Sequence, residues 1–117
     1  MSEPLVQLSC VGNVFTRMMH FEKAGDIEQG HSHPFDHTTL LSAGAIRLTL
    51  EGVARDFRAP DLLYIQKDKE HQLMALEDNT VVACIHALRD EAGDILPEST
   101  MLSAEAVIKQ SELLRTR

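Results

Sequence analysis

Residues Gly30 to Thr39 read GHSHPFDHTT, and three of the chain's six histidines, His31, His33 and His37, fall inside this stretch. A fourth, His71, stands alone further on in DKEHQL. Neutral imidazole is the commonest metal ligand, and four of them complete a coordination sphere. If the stretch around His31 is extended, side chains at i and i+2 share a face, so His31 and His33 can chelate one ion. His37 lies four residues further on, and a straight strand would carry it about 13 Å past His33 at roughly 3.3 Å per residue. Metal bonds of about 2.0 to 2.1 Å cannot span that distance. The chain must bend between the two, and Pro34, with its fixed φ and missing donor, stands at the bend. His37 then opens a second strand that returns to the ion.

A helix is the competing geometry, since His33 and His37 at i, i+4 would share one face, with Ser32 and Pro34 able to cap and start it. His31 and His33 would then point in nearly opposite directions. Thr38 to Ser42, ahead of a turn at Gly44, also leave room for barely two helical turns. The strand reading is therefore preferred, and a metal cluster is preferred to a group of solvated loop histidines.

At 117 residues the chain is long enough for one domain with one core and no staples. Apolar residues make up 44 % and charged residues 25 %, an ordinary balance for a soluble globular protein. Phe15, Phe21, Phe35, Phe57 and Tyr64 are the only aromatic residues besides histidine, so the core must be aliphatic. A stacking platform for single-stranded nucleic acid is missing. Lys and Arg number 11 against 18 Asp and Glu, and a net charge of −7 excludes a basic footprint for nucleic acid.

The N-terminal MSEPLVQLSC has no charged region followed by an apolar run, and no window approaches transmembrane length. A cytoplasmic protein is expected, with no membrane partner. Cys10 and Cys84 sit in separate apolar surroundings outside any CxxC pair, and reduced structural thiols are expected.

Short extended runs punctuated by turn residues fill most of the chain. Asn13 to Lys23 ends at Ala24-Gly25-Asp26. Thr38 to Ser42 and Ala45 to Leu50 flank Ala43-Gly44 and read as a hairpin. Ile46, Leu48 and Leu50 alternate with Arg47, Thr49 and Glu51, the pattern of a half-buried strand. Val53 to Arg58, Leu62 to Ile65, His71 to Leu76 and Thr80 to Leu88 follow as further strands. So many strands at short spacing imply a sandwich or closed barrel. The end differs: Ser103 can N-cap a helix from Ala104 to about Arg115, with Ala104, Val107, Ile108, Ser111 and Leu114 as its packing stripe. The barrel is expected over about 13–90, within a single domain spanning 1–117.

This order of parts resembles a small single-domain monocupin of the cupin superfamily. The family's first motif is a Gly, five residues, His-x-His, three or four residues, Glu, six residues and Gly. Gly25 precedes His31 by that interval, His33 and then His37 at the Glu position follow, and Gly44 closes the motif. The second motif resembles Asp61-Leu-Leu-Tyr-Ile65, followed by a turn and His71. The resemblance covers roughly Asn13 to Leu88. His37 in place of Glu is similar to the four-histidine subgroup, while Gln66 and Asp68 stand where Pro and Gly are common and no Asn follows His71 by four residues.

The resemblance implies an all-β, double-stranded β-helix jelly roll with a short C-terminal helix, and a metal inside the barrel near one mouth. The ligands would be His31, His33, His37 and His71, which come from different strands that only a curved or closed sheet can bring together. One divalent transition metal is implied, with Mn, Fe, Ni, Zn and Cu all compatible with the ligand type. Four neutral imidazoles would leave the ion its full charge, attractive to a bidentate anionic oxygen ligand.

Other residues are candidates by position. His86 on the late strand could serve as an acid or base or be a structural histidine; His20 lies in an early strand; Tyr64 could be packing or catalytic. Asp36 could orient a ligand imidazole or be a solvated carboxylate. Phe35, Thr39, Leu41 and Leu73 are expected to line the pocket, Thr39 and Leu41 because they share strand parity with His37. Two functional classes follow. One is a metalloenzyme acting on a small oxygen-rich or enolisable substrate, with oxygenase-type chemistry first and isomerase or lyase chemistry open; the other is a non-catalytic module that binds a small molecule or metal. A homodimer is expected, with Pro4 to Leu8 or the C-terminal helix in the contact, because an open jelly roll leaves sheet edges that need cover.

Overall fold

Alternation of buried and more exposed side chains shapes the central strands. In β8, His71, Leu73 and Ala75 are buried while Gln72 and Met74 are half-buried, and β4 and β5 repeat the pattern around Leu41 and Ile46. Period-two burial is what a strand with one face on a core requires. The computed structural model describes residues 2–31, 36–66, 68–87, 92 and 94–95, and of Gly30 and His31 the backbone alone. Among them run nine strands: β1 (Leu5–Val11), β2 (Val14–Phe21), β3 (Ile27–His31), β4 (His37–Ala43), β5 (Ala45–Leu50), β6 (Val53–Arg58), β7 (Asp61–Ile65), β8 (His71–Ala75) and β9 (Thr80–Ala87).

They form a five-stranded sheet, β1-β2-β9-β4-β7, and a four-stranded sheet, β3-β8-β5-β6. All pairings are antiparallel. From β2 to β5, and again from β6 to β9, each strand lies in the sheet opposite its predecessor. This winding gives the double-stranded β-helix. The expected helix over 104–115 lies outside the described residues. β1 was not anticipated from the sequence; it pairs with β2 from Leu5↔His20 to Val11↔Val14.

One expectation is corrected. Ala43-Gly44 does not turn a hairpin, because β4 and β5 belong to different sheets and never pair. Gly44 is a corner, with φ +80°. Thr80 sits directly beneath it: a Cβ on Gly44 would lie 2.8 Å from the Thr80 Cα and closer still to its Oγ1. Thr80 is fully buried. Its hydroxyl accepts from the Ala45 amide at 3.3 Å and lies 2.9 Å from the Glu77 carbonyl and 3.2 Å from the Ala45 carbonyl, satisfying the backbone where the chain changes sheets. The true hairpin follows, between β5 and β6, where Glu51 and Gly52 both take positive φ, as a two-residue primed turn requires.

The core is aliphatic, as the scarcity of aromatics implied. Met19, Phe21, Leu41, Ile46, Leu48, Leu63, Ile65, Leu73, Ala75 and Val82 form one buried cluster. Each large member contributes about 1.5 to 3 kcal/mol by leaving water. Registers across the sheets arrange the inward side chains in rows. Arg17, Cys84, Thr39 and Leu63 form one row of the larger sheet, and Met19, Val82 and Leu41 lie next to it on the core side. Leu73 and Leu48 face them from the smaller sheet. Among the described residues, no helix is long and apolar enough to cross a membrane.

Candidate metal centre

The chain leaves the smaller sheet at His31 and enters the larger one at His37. Pro34 itself lies outside the described residues, as do His33 and Phe35. His31 is in register with His71 across β3 and β8, one residue beyond a bulge that follows Glu28. His37 opens β4, as expected from the strand reading.

His37 and His71 come from opposite sheets and meet inside the fold. They are 6 % and 5 % exposed, their ring centroids lie 5.6 Å apart, and the rings are tilted by 53°. Both nitrogens of His37 are buried. Two imidazoles that share an ion through bonds of about 2.0 to 2.1 Å can have centroids up to about 6 Å apart, so this separation fits a common metal. The Nδ1 of His71 lies 3.1 Å from the Lys69 carbonyl. A carbonyl only accepts, so Nδ1 carries the proton and the Nε2 lone pair is presented, the arrangement typical of metal-ligating histidine. Among the described residues no three His, Cys, Asp or Glu side chains converge as a metal site, and the side chains of His31 and His33 are not among those described.

Below the two histidines the wall becomes polar before it becomes apolar. Thr39 is 1 % exposed and its Oγ1 lies 3.5 Å from the Cys84 sulfur. Burial pushes the Cys84 thiol up from its ordinary value, against the smaller opposing effects of Thr39 and the Arg17 charge, so it stays a neutral thiol. Neither cysteine is in a disulfide. Arg17 reaches across the sheets to Glu28, Nη1 to Oε1 at 2.7 Å. Leu73, 3 % exposed, faces this layer from β8, and Leu41, at 0 %, lies one row deeper; both belong to the core.

The other candidates separate. His86 lies beside Phe15 with ring centroids 5.0 Å apart, in the inward register of β9, and its Nδ1 donates to the Ala87 carbonyl at 3.1 Å. His20 faces away from the core between buried Met19 and Phe21, and its Nε2 donates to Asn79 Oδ1 at 3.0 Å, so it lies on the outer face, away from His37 and His71. Tyr64, 65 % exposed between buried Leu63 and Ile65, also faces outward, which removes it as a catalytic candidate. Partial desolvation and the Asp36 carboxylate, which accepts its hydrogen bond, hold the Tyr64 hydroxyl above the ordinary phenol value. Asp36 is exposed beside it.

Sequence reading missed Arg17 and Glu28. Arg17 shares parity with Phe15, Met19 and Phe21, so its inward direction was available from FTRMMHF. Glu28 was not readable in this way, because the bulge before His31 resets the alternation.

The sequence matches no protein-family model and no curated protein. Solved structures do match. KdgF from Halomonas sp. superposes with a TM-score of 0.63 at 20 % identity, over 74 % of this chain and 80 % of that one. An uncharacterized conserved protein with a double-stranded β-helix domain from Klebsiella pneumoniae gives 0.65 at 16 % identity, over 84 % and 86 %. An RmlC-like cupin family protein from Methanocaldococcus jannaschii gives 0.65 at 12 % identity, over 73 % and 80 %. With this strand order and these neighbours, the chain has the double-stranded β-helix fold of cupin and RmlC-like proteins.

Proposed function

We propose that the protein is a cupin-type metalloprotein in which His31, His33, His37 and His71 hold one divalent transition metal and that it acts on a small oxygen-rich or enolisable molecule. Oxygenase-type chemistry is the first reading, and isomerase or lyase chemistry is open to the same site. The observation that carries the proposal is the buried pair of His37 and His71, contributed by opposite sheets, with the His71 tautomer set by the Lys69 carbonyl. A polar pair of this kind at the end of an aliphatic core adds nothing to packing that leucine would not supply.

A divalent ion held there by neutral imidazoles would keep its full charge and would supply Lewis-acid chemistry toward an anionic oxygen. The protein's own residues supply the rest. Lys69 orients His71, the apolar layer of Leu48, Leu63 and Leu73 closes the floor to water, and His86 can hold or release a proton at Nε2. Mn, Fe, Ni, Zn and Cu all suit such ligands. The partners proposed are a small molecule and a second copy of the chain, in the cytoplasm, without nucleic acid or membrane.

One observation favours the non-catalytic binding module instead: Glu28, an inward carboxylate able to act as a base, is engaged by Arg17. Elemental analysis of untagged protein tests the metal. About one equivalent per chain, lost in His71→Ala, is expected; less than about a tenth of an equivalent after supplementation, unchanged in His71→Ala, would exclude it. Turnover assays across oxygen-rich substrates then separate enzyme from module.

A further inference from the structure

Arg17 and Glu28 form an ion pair inside the sandwich, one row below the histidines. Arg17 is paired in register with Cys84, which pairs with Thr39, two residues along β4 from His37. Glu28 is paired with Leu73, two residues along β8 from His71. The side chains are 31 % and 16 % exposed. Arg17 Nη1 lies 2.7 Å from Glu28 Oε1 and 3.0 Å from the Met19 sulfur, and among the described residues these contacts leave the Nε and Nη2 edge of the guanidinium for another acceptor. Folding does not call for such a pair, since apolar residues of similar volume at such positions are commonly as stable or more so.

We propose that Arg17 is an anion-reading residue of the sandwich interior, taking a carboxylate of a small ligand whose other end lies toward the histidines, with Glu28 as the counter-charge that balances Arg17 when no ligand is bound. The proposal rests on the metal-site reading for the direction of the ligand, and it narrows the substrate class to small carboxylic acids. A guanidinium suits this role because its planar fork meets a carboxylate with two parallel hydrogen bonds. Glu28 opposes the ligand by like charge, so the two residues make opposite predictions.

The test is calorimetric titration of the full-length protein, with and without added Mn²⁺, using oxalate, malonate, succinate and glutarate and their diamides. At least one diacid binds the wild type, and its diamide binds at least about tenfold more weakly, the loss expected for a charge-assisted hydrogen bond. Arg17→Met weakens that diacid by at least about tenfold, and Glu28→Gln tightens it. A merely structural ion pair would weaken binding in both variants. Arg17→Met with Glu28→Gln removes both charges, so no lone buried charge remains to unfold the protein, and it too must lose diacid affinity. Metal content, measured alongside, stays at the wild-type value in every variant. If no diacid depends on Arg17, or if Glu28→Gln weakens binding, the proposal is overturned. Failure of the metal reading shows separately, as no metal in any protein, while the diacid preference in metal-free protein is still decided by Arg17.

Discussion

His37 on β4 and His71 on β8 face each other across the two sheets, 5.6 Å between ring centroids, although they stand 34 positions apart in the chain. The two sheets converge on this pair, and the strongest tests of the site run through it.

His37→Glu should keep metal binding, because a carboxylate oxygen reaches an ion at about 2.0 to 2.2 Å, close to the imidazole distance. His37→Ala should lose at least about tenfold in metal affinity, comparable to removing even an outer hydrogen-bond partner of a ligand. Competition titrations on the three proteins side by side check this. Equal affinities would leave a centre of three histidines without His37.

Gly44 and Gly52 have nearly the same φ, +80° and +81°, but only Gly44 has Thr80 packed against it. Gly52→Ala should cost about 1 kcal/mol, for the left-handed backbone alone. Gly44→Ala should cost about 3 kcal/mol or more, because the corner must also move away from the Thr80 backbone. Urea unfolding of both variants measures the difference; equal losses would mean that the close approach carries no stability.

Asp26 predicts a specific acid limb in the stability profile. Burial pushes its carboxyl up, but the Ser2 amide at 3.1 Å, the Lys23 amide at 3.2 Å and the Ser2 hydroxyl at 3.0 Å together hold it below its ordinary value of 3.8. A group lowered on folding contributes stability that is fully present above its unfolded pKa and is lost as pH falls through the folded one. Asp26→Asn should therefore melt several degrees lower at neutral pH, and the gap to wild type should narrow below about pH 4. Melting curves from pH 2 to about pH 7 show whether it does.

The edges of the larger sheet should pair two copies of the chain. β1 and β7 are its outer strands, and Leu5, Leu8, Leu62 and Tyr64 are 43 %, 49 %, 67 % and 65 % exposed on them. Edge strands bearing exposed apolar residues are covered in stable proteins. Light scattering should report twice the monomer mass at micromolar concentration, and Leu5→Lys with Leu8→Lys or Leu62→Lys with Tyr64→Lys should halve it. A monomeric wild type would refute the pairing.

The short periods of the chain carried most of the architecture. IRLTL, between Ala45 and Glu51, reads as a half-buried strand because its alternation is complete, and the structure buries Ile46 and Leu48 as that pattern requires. The strand start at His37 was equally legible, because Pro34, with its fixed φ and missing donor, interrupts a strand that would run on from His31. Residue parity also placed Thr39 on the side of His37, where it is buried.

Which sheet each strand joins was decided only by tertiary structure. Ala43-Gly44 carries the local chemistry of a hairpin, but Thr80, 36 residues away from Gly44, fits under the glycine and hydrogen-bonds the corner, so β4 and β5 part. The meeting of Arg17 with Glu28 has the same origin, since a one-residue bulge after Glu28 resets the alternation that a sequence reader relies on. Local sequence determines period and turn preference, because those depend on neighbouring residues. Partner choice across a sandwich depends on which distant side chains fill the same space, and only the folded chain brings them there.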